Sequence, residues 1–334
     1  MKRFIDLAEL EPVAVRDLIG LASRLERSPR PQALSGKVLG LLFMNPSLRT
    51  LASFQAGMSR LGGSSFVITP GAGTWQLETR TGAVMDGDRA EHIKEGIPVL
   101  ASYADVLGIR AFAEGVNLDN DLNELVFKQI ADLVDKPLIN MESAMNHPCQ
   151  ALADWKTMDE LAVPDNGKFV LSWVNHPRAL PLAVPAAAMT MAAQRGMEVV
   201  VLRPEGFEIP TPLADKARRL AAASGGSFTE TTDRAAAMKG AHVLYAKEWG
   251  STRHYGDAKA DGELRKSLKS WKVDESWFAT SDAKAHFMHC LPVRRNVAVA
   301  DALIDGPRSA VLREAYNRMP AQMAVLHRLL SSRD

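Results

Sequence analysis

Cysteine is nearly absent. Cys149 and Cys290 are the only two in 334 residues. Two cysteines do not make a disulfide framework, and a reducing compartment is the simpler reading. Long apolar runs are missing as well, since none reaches the ~18 residues that a membrane-spanning helix needs. The stretch MKRFIDLAEL has two basic residues but meets Asp6 and Glu9 at once. That makes a poor signal peptide, so a cytoplasmic location and no membrane partner are expected. Neither sign of charge dominates: 40 Lys and Arg against 39 Asp and Glu leave a net charge of +1. No global basic field is there to hold a nucleic acid, so an anionic ligand would need a local cluster of donors. Internal repeats and low-complexity linkers are lacking. No G-x-G-x-x-G follows a predicted strand, which argues against a nucleotide-binding dehydrogenase.

What is present fits a folded globular protein, with 46% hydrophobic and 24% charged residues. The length exceeds one comfortable core and suits two domains. Short apolar runs alternate with amphipathic segments. Strands are predicted at Val38 to Met44, Ser65 to Thr69, Asp105 to Ile109 and Pro137 to Asn140, and then at Lys168 to Val174, Glu198 to Leu202, His242 to Ala246 and His286 to Met288. Helices are predicted at Thr50 to Leu61, His92 to Tyr103 (kinked or shortened by Pro98), from about His147, and at Leu180 to Gln194, Leu213 to Ala223 and Val311 to Leu330. Two rounds of this alternation give an α/β fold of two domains, each a parallel sheet flanked by helices. The boundary is expected in the helix around residues 150 to 160. Ligands in such sheets sit at the carboxyl ends of strands, so the loops after strands carry the chemistry.

Three of those loops hold donors. Asn45-Pro46-Ser47-Leu48-Arg49-Thr50 follows the first strand and opens a helix, whose N-terminus favours an anion, while Arg49 offers a planar fork for phosphate. Arg110 ends the strand DVLGI. His147-Pro148-Cys149-Gln150 opens the next helix, with Pro148 suited to its first turn. Singly, each has an ordinary reading: a Ser/Thr cap, a surface salt bridge, a His at a helix start.

Together, Ser47-Leu48-Arg49-Thr50, Arg110 and His147-Pro148-Cys149-Gln150 resemble the S-x-R-T, strand-end Arg and H-P-x-Q signature of the aspartate/ornithine transcarbamylase superfamily. Phe287-Met288-His289-Cys290-Leu291-Pro292-Val293-Arg294-Arg295 is similar to the H-C-L-P segment of its ornithine-type enzymes. The resemblance spans essentially the whole chain. It is strongest to the branch acting on N-acetylornithine or N-succinylornithine, through Gly73-Thr74-Trp75, Met85-Asp86-Gly87-Asp88, Met141-Glu142, His176-Pro177, Ala246-Lys247-Glu248-Trp249 and Asn317-Arg318. The S-M-G segment of ordinary ornithine enzymes occurs nowhere.

The resemblance implies the transcarbamylase fold. Residues 1–152 would bind carbamoyl phosphate, 153–313 would bind the acylornithine, and a final helix over 314–334 would pack back on the first domain. It implies that Ser47, Leu48 (through its backbone), Arg49 and Thr50 hold the phosphate. Trp75 would reach into a neighbouring subunit's site, making a homotrimer. Arg110, His147 and Gln150 would hold the carbamoyl group, with Arg110, His147 and Thr50 as the catalytic donors to the developing oxyanion. Glu142, His176, Lys247, Cys290, Leu291, Arg294, Arg318 and Ala90 would line the acylornithine pocket. No cofactor and no metal are implied, no nucleophilic role falls to Cys290, and no general base is assigned. The leaving phosphate can accept the proton itself.

The implied reaction carries the carbamoyl group of carbamoyl phosphate to the side-chain amine of N-succinyl-L-ornithine, in arginine biosynthesis. Acetylornithine enzymes carry Glu where Ala90 stands. Ala90 neither repels a succinyl carboxylate nor fills its space, and Arg89, Arg178 and Arg294 are candidate cations for it. N-acetyl-L-ornithine and, more distantly, L-ornithine stay open as acceptors. Two positions depart from the family: Leu51 stands where Arg usually continues S-x-R-T, and Ala298 where some acetylornithine enzymes carry a modified Lys. Leu51 keeps a non-catalytic homologue open as another reading.

Overall fold

A computed structural model describes residues 1–331. Five parallel strands form the first sheet: β1 (Arg3–Phe4), β2 (Val38–Phe43), β3 (Ser64–Ile68), β6 (Val106–Arg110) and β7 (Leu138–Glu142), ordered β1-β7-β6-β2-β3. Two short strands, β4 (Leu77–Glu78) and β5 (Glu91–His92), pair with each other in the loop region before the third helix. The second sheet is also parallel. It contains β8 (Lys168–Trp173), β9 (Glu198–Leu202), β10 (Ser227–Thr231), β11 (Val243–Lys247) and β12 (His286–Met288), ordered β10-β9-β8-β11-β12.

The central strands are apolar along most of their length because helices cover both faces of each sheet, and their polar residues gather mainly toward the strand ends. Glycine appears in two of them for a steric reason. A Cβ at Gly40 would lie 2.7 Å from the Leu107 side chain, and one at Gly108 would lie 2.8 Å from Met141 Sδ. Bulky neighbours on adjacent strands fill the space that these glycines leave.

Chain order reverses between β2 and β6 in one sheet and between β8 and β11 in the other. Connections leave such a point toward opposite faces, which opens a crevice at the strands' carboxyl ends. Two helices bind the halves together. Pro148–Glu160 is buried along most of its length, and the closing helix Val311–Leu330 packs on it and on helices Pro12–Arg27 and Leu48–Arg60. Helix Ile93–Ser102 runs through Pro98 and continues four residues beyond it, so the proline does not end the helix there. No helix among the described residues is long and apolar enough to cross a membrane. Residues 332–334 of the expected final segment lie outside the described residues.

Candidate active site

A cleft of about 680 Å³ opens between the halves at the carboxyl ends of β2, β6, β7, β8, β11 and β12. From the first half come Ser47, Leu48, Arg49, Arg110, Glu142, His147 and Gln150. From the second come His176, Lys247, Cys290, Leu291 and Arg294, and the closing helix adds Arg318.

The first wall begins where β2 gives way to a helix. Ser47 caps that helix, its Oγ accepting the Thr50 N–H at 3.3 Å. Leu48 exposes 81% of its surface, so its apolar side chain anchors nothing. The unbonded N–H groups of this first turn instead favour an anion. Thr50 is fully buried behind the wall. Its Oγ1 accepts from Ser47 Oγ at 3.0 Å and from Arg318 Nη2 at 2.8 Å, which locks the loop to the closing helix.

The β6–β7 pairing slips between Ile109 and Arg110, so Arg110 faces Glu142 across the ladder. A local irregularity of this kind re-aims a side chain. Arg110 donates to Glu142 Oε2, and its guanidinium lies over the Phe112 ring, 4.4 Å from the centroid. His147 Nε2 sits 3.4 Å from the same Glu142 oxygen. His147 starts the Pro148 helix without a side-chain cap bond, so its ring is turned to the cleft rather than to helix capping. Burial holds that ring's pKa well below 6.5, and the positive charges of Arg318, Arg110 and Arg49 push the same way. It is therefore neutral at pH 7. Unpartnered buried atoms gather here: Arg49 Nε, Arg110 Nε, Arg318 Nε, His147 Nδ1 and Gln150 Oε1. Native interiors pair such groups, so a set of them around one crevice marks a place for a polar ligand.

The second wall is anchored by a buried ion pair. Lys247 Nζ lies 3.0 Å from Glu248 Oε1, and His289 Nε2 lies 3.6 Å from Glu248 Oε2. Burial opposes the Glu248 charge, but Lys247 and His289 outweigh it and hold the carboxyl far below its usual range. Burial likewise opposes the Lys247 charge, and Glu248 overcomes it. His176 Nδ1 accepts the Arg178 N–H at 3.1 Å, which fixes the loop after β8. Burial pushes the Cys290 thiol up to about 12, which makes thiolate scarce. Leu291 holds a left-handed backbone (φ 57°) that turns the chain along the cleft.

Three expected residues do not line this cleft: Thr50, buried behind its wall, Trp75 and Ala90. Trp75 is 60% exposed, its Nε1 donating to Glu91 Oε2 at 2.8 Å, and Ala90 is exposed in the same loop region. Arg89 also points elsewhere, donating to the Leu77 carbonyl at 3.2 Å. Arg178 and Arg294, by contrast, both reach the cleft, and neither has an ion-pair partner among the described residues. The sequence assigned no role to Phe112 or Glu248, which also line it. Glu248 had a signal, a carboxylate directly after a strand-end lysine, while Phe112 had none.

Acid stability follows from the histidines. Burial lowers the His147, His176 and His289 rings from 6.5. The unfolded chain therefore binds these protons first. Stability is intact above about pH 6.5 and declines as pH falls toward the folded-state values. The thermal midpoint is expected to be lower at about pH 5.5 than at about pH 7.5. An unchanged midpoint in a calorimetric scan would contradict neutral, buried rings.

Two α/β halves meeting at a cleft where Arg49, Arg178, Arg294 and Arg318 have no ion pair among the described residues define an enzyme built to hold an anion and a second substrate together. Residues 2–160 match the carbamoyl-P binding domain of aspartate/ornithine carbamoyltransferase, and residues 184–329 match its Asp/Orn binding domain. The chain belongs to the aspartate/ornithine carbamoyltransferase family and is a carbamoyltransferase of its N-acylornithine branch. It is 37% identical to an N-acetylornithine carbamoyltransferase of Xanthomonas campestris pv. campestris, over 99% of this chain and 98% of that one. It is also 37% identical to an N-succinylornithine carbamoyltransferase of Bacteroides fragilis, over 89% and 88%. A crystal structure of an acetylornithine transcarbamylase complexed with acetylcitrulline superposes with a TM-score of 0.94 at 37% identity, covering 99% of this chain and all of that one.

Proposed function

We propose that the acceptor is N-succinyl-L-ornithine, carbamoylated on its side-chain amine to N-succinyl-L-citrulline with release of phosphate, in arginine biosynthesis. The observation that carries this reading is the pair Arg178 and Arg294, two cations at the cleft without carboxylate partners among the described residues. An N-succinylornithine brings two carboxylates, one more than the acetyl compound. Ala90 supports the same reading. By resemblance it stands where acetylornithine enzymes carry Glu, and an N-acetyl-L-ornithine transcarbamylase with a glutamate-to-alanine substitution has been crystallised with carbamyl phosphate and N-succinyl-L-norvaline. N-acetyl-L-ornithine is the second reading, favoured by the fuller coverage of the acetylornithine relatives. Steady-state rates with both acylornithines decide between them. Succinyl is expected to lead in kcat/KM by about tenfold or more, the scale of one added charged contact. A preference for acetyl overturns the assignment.

On this reading the helix turn at Ser47, Leu48, Arg49 and Thr50 holds the phosphate. Arg110, His147 and Gln150 hold the carbamoyl group. Glu142, His176, Lys247, Cys290, Leu291, Arg294 and Arg318 surround the acceptor. The neutral amine attacks the carbamoyl carbon, and negative charge develops on the carbamoyl oxygen, toward the Arg110, His147 and Thr50 donors. The C–O bond to phosphate then breaks, and the leaving phosphate takes the amine's proton. Positioning two substrates in one dry cleft supplies much of the acceleration.

Trp75 and Ala90 enter only if another copy brings its loop to this cleft. We propose a homotrimer that does so. The exposed Trp75, Val84 and Met85 of that loop support it. Light scattering is expected to give the mass of three copies, and a monomer in active preparations excludes the shared site.

A further inference from the structure

We propose that Asp154 and Glu314 are positioning residues that hold Gln150 with its amide oxygen facing the cleft. The proposal rests on the reading of Gln150 as a carbamoyl contact and explains how that contact is oriented.

Gln150 Nε2 donates to Asp154 Oδ1 at 2.7 Å and to Glu314 Oε1 at 3.2 Å. Gln150 Oε1 has no protein partner, and the residue lines the cleft. Two carboxyl oxygens behind the nitrogen decide which end of the amide points outward. A flipped amide would set its own oxygen against both of them. Asp154 lies one turn further along the same helix, whereas Glu314 reaches in from the closing helix. The second Glu314 oxygen accepts the His289 N–H at 2.8 Å, one residue before Cys290. One pair of acids therefore ties Gln150, the closing helix and the Cys290 turn into a single unit.

Both acids are fully buried. The groups facing them are Gln150, the Tyr245 hydroxyl, the Cys290 thiol and the Arg318 guanidinium. Burial raises both carboxyls, and Glu314 is raised further by Asp154, so the pair keeps at least one proton at neutral pH. Buried paired acids are poor stabilisers, and apolar residues of like volume would serve a fold equally well. What this pair supplies is orientation. A carbamoyl group presents an NH2, which an outward carbonyl oxygen can accept and an outward NH2 would repel.

A double-mutant cycle tests this. Gln150→Ala is expected to raise KM for carbamoyl phosphate about tenfold. Asp154→Asn, isosteric and able to donate to Gln150 Oε1, is expected to do the same while leaving the acylornithine KM within about twofold. In the Gln150→Ala background, Asp154→Asn should add less than about twofold, because it acts through the missing amide. Glu314→Gln passes through the same cycle as a second variant, with thermal midpoints confirming folding. Costs that add fully overturn the proposal, as does an Asp154→Asn protein with unchanged KM. An unchanged KM in Gln150→Ala alone overturns the reading of Gln150 itself, and the proposal with it.

Discussion

Arg110→Ala will lower kcat by roughly 10²–10³-fold, the loss that follows removal of one preorganised oxyanion donor, which is the role proposed for Arg110. The reason lies in how the side chain is held. Arg110 ends β6, is nearly buried, stacks on Phe112 and pairs with Glu142. Its geometry is set before substrate arrives, so little reorganisation remains for the reaction. Alanine removes the donor and the one cation in direct contact with Glu142, leaving the neutral His147 ring at 3.4 Å and the charges of Arg49, Arg318 and Lys247 further off. Arg110→Lys should recover little, because a lysine is a point charge without the planar fork that both engages a carboxylate and stacks on an aromatic ring. The measurement is a saturation curve in both substrates. An alanine variant whose kcat stays within about threefold of the parent would remove Arg110 from the reaction.

Lys247→Met will separate a structural role from a substrate role. Its loss removes the one cation paired with the buried Glu248 carboxylate, whose remaining ion-pair contact is His289 Nε2 at 3.6 Å. An uncompensated buried charge costs about 3–5 kcal/mol, a large share of a typical folding free energy. Denaturant unfolding should show this loss, and the acylornithine KM should rise as well. In Lys247→Met/Glu248→Gln the uncompensated charge is gone. Most of the stability should return, since replacing both members of a buried pair is often close to neutral. The KM defect should persist, because the cation that faces the cleft is still missing. If the double variant is as unstable as the single one, the pair is not what stabilises this wall. If its KM is normal, Lys247 does not meet the acceptor.

Legibility divided along the range of the interactions. The strand Glu198–Leu202 holds the apolar run Val199 to Leu202 between Glu198 and Arg203, and the sequence marks both its ends where the structure has them. Strand β10, Ser227–Thr231, carries no such mark. It is a polar edge strand that pairs on one side only, so no apolar run marks it. Helix Pro12–Arg27 is not among the predicted helices, although Val15, Leu18, Ile19, Ala22 and Leu25 recur at helical spacing behind an N-terminal proline. The same division runs through the site. Ser47, Arg49, Arg110 and His147 were legible because each follows a strand and stands in a short local motif. Glu314, in the first turn of the closing helix with no motif, becomes visible only when its carboxyl meets Gln150 from 164 residues away.

The sequence by itself determined the alternation of strand and helix, the loops that carry the donors and the family to which the chain belongs, because these depend on neighbours a few residues apart. Tertiary structure decided that Glu142 joins Arg110 to His147, that Glu248 lies under Lys247, and that Trp75 and Ala90 stand outside their own chain's cleft. The Glu142 contact depends on β7 lying beside β6, with the register slip that sets Arg110 opposite Glu142. That adjacency is fixed by packing between distant segments, which no local pattern records.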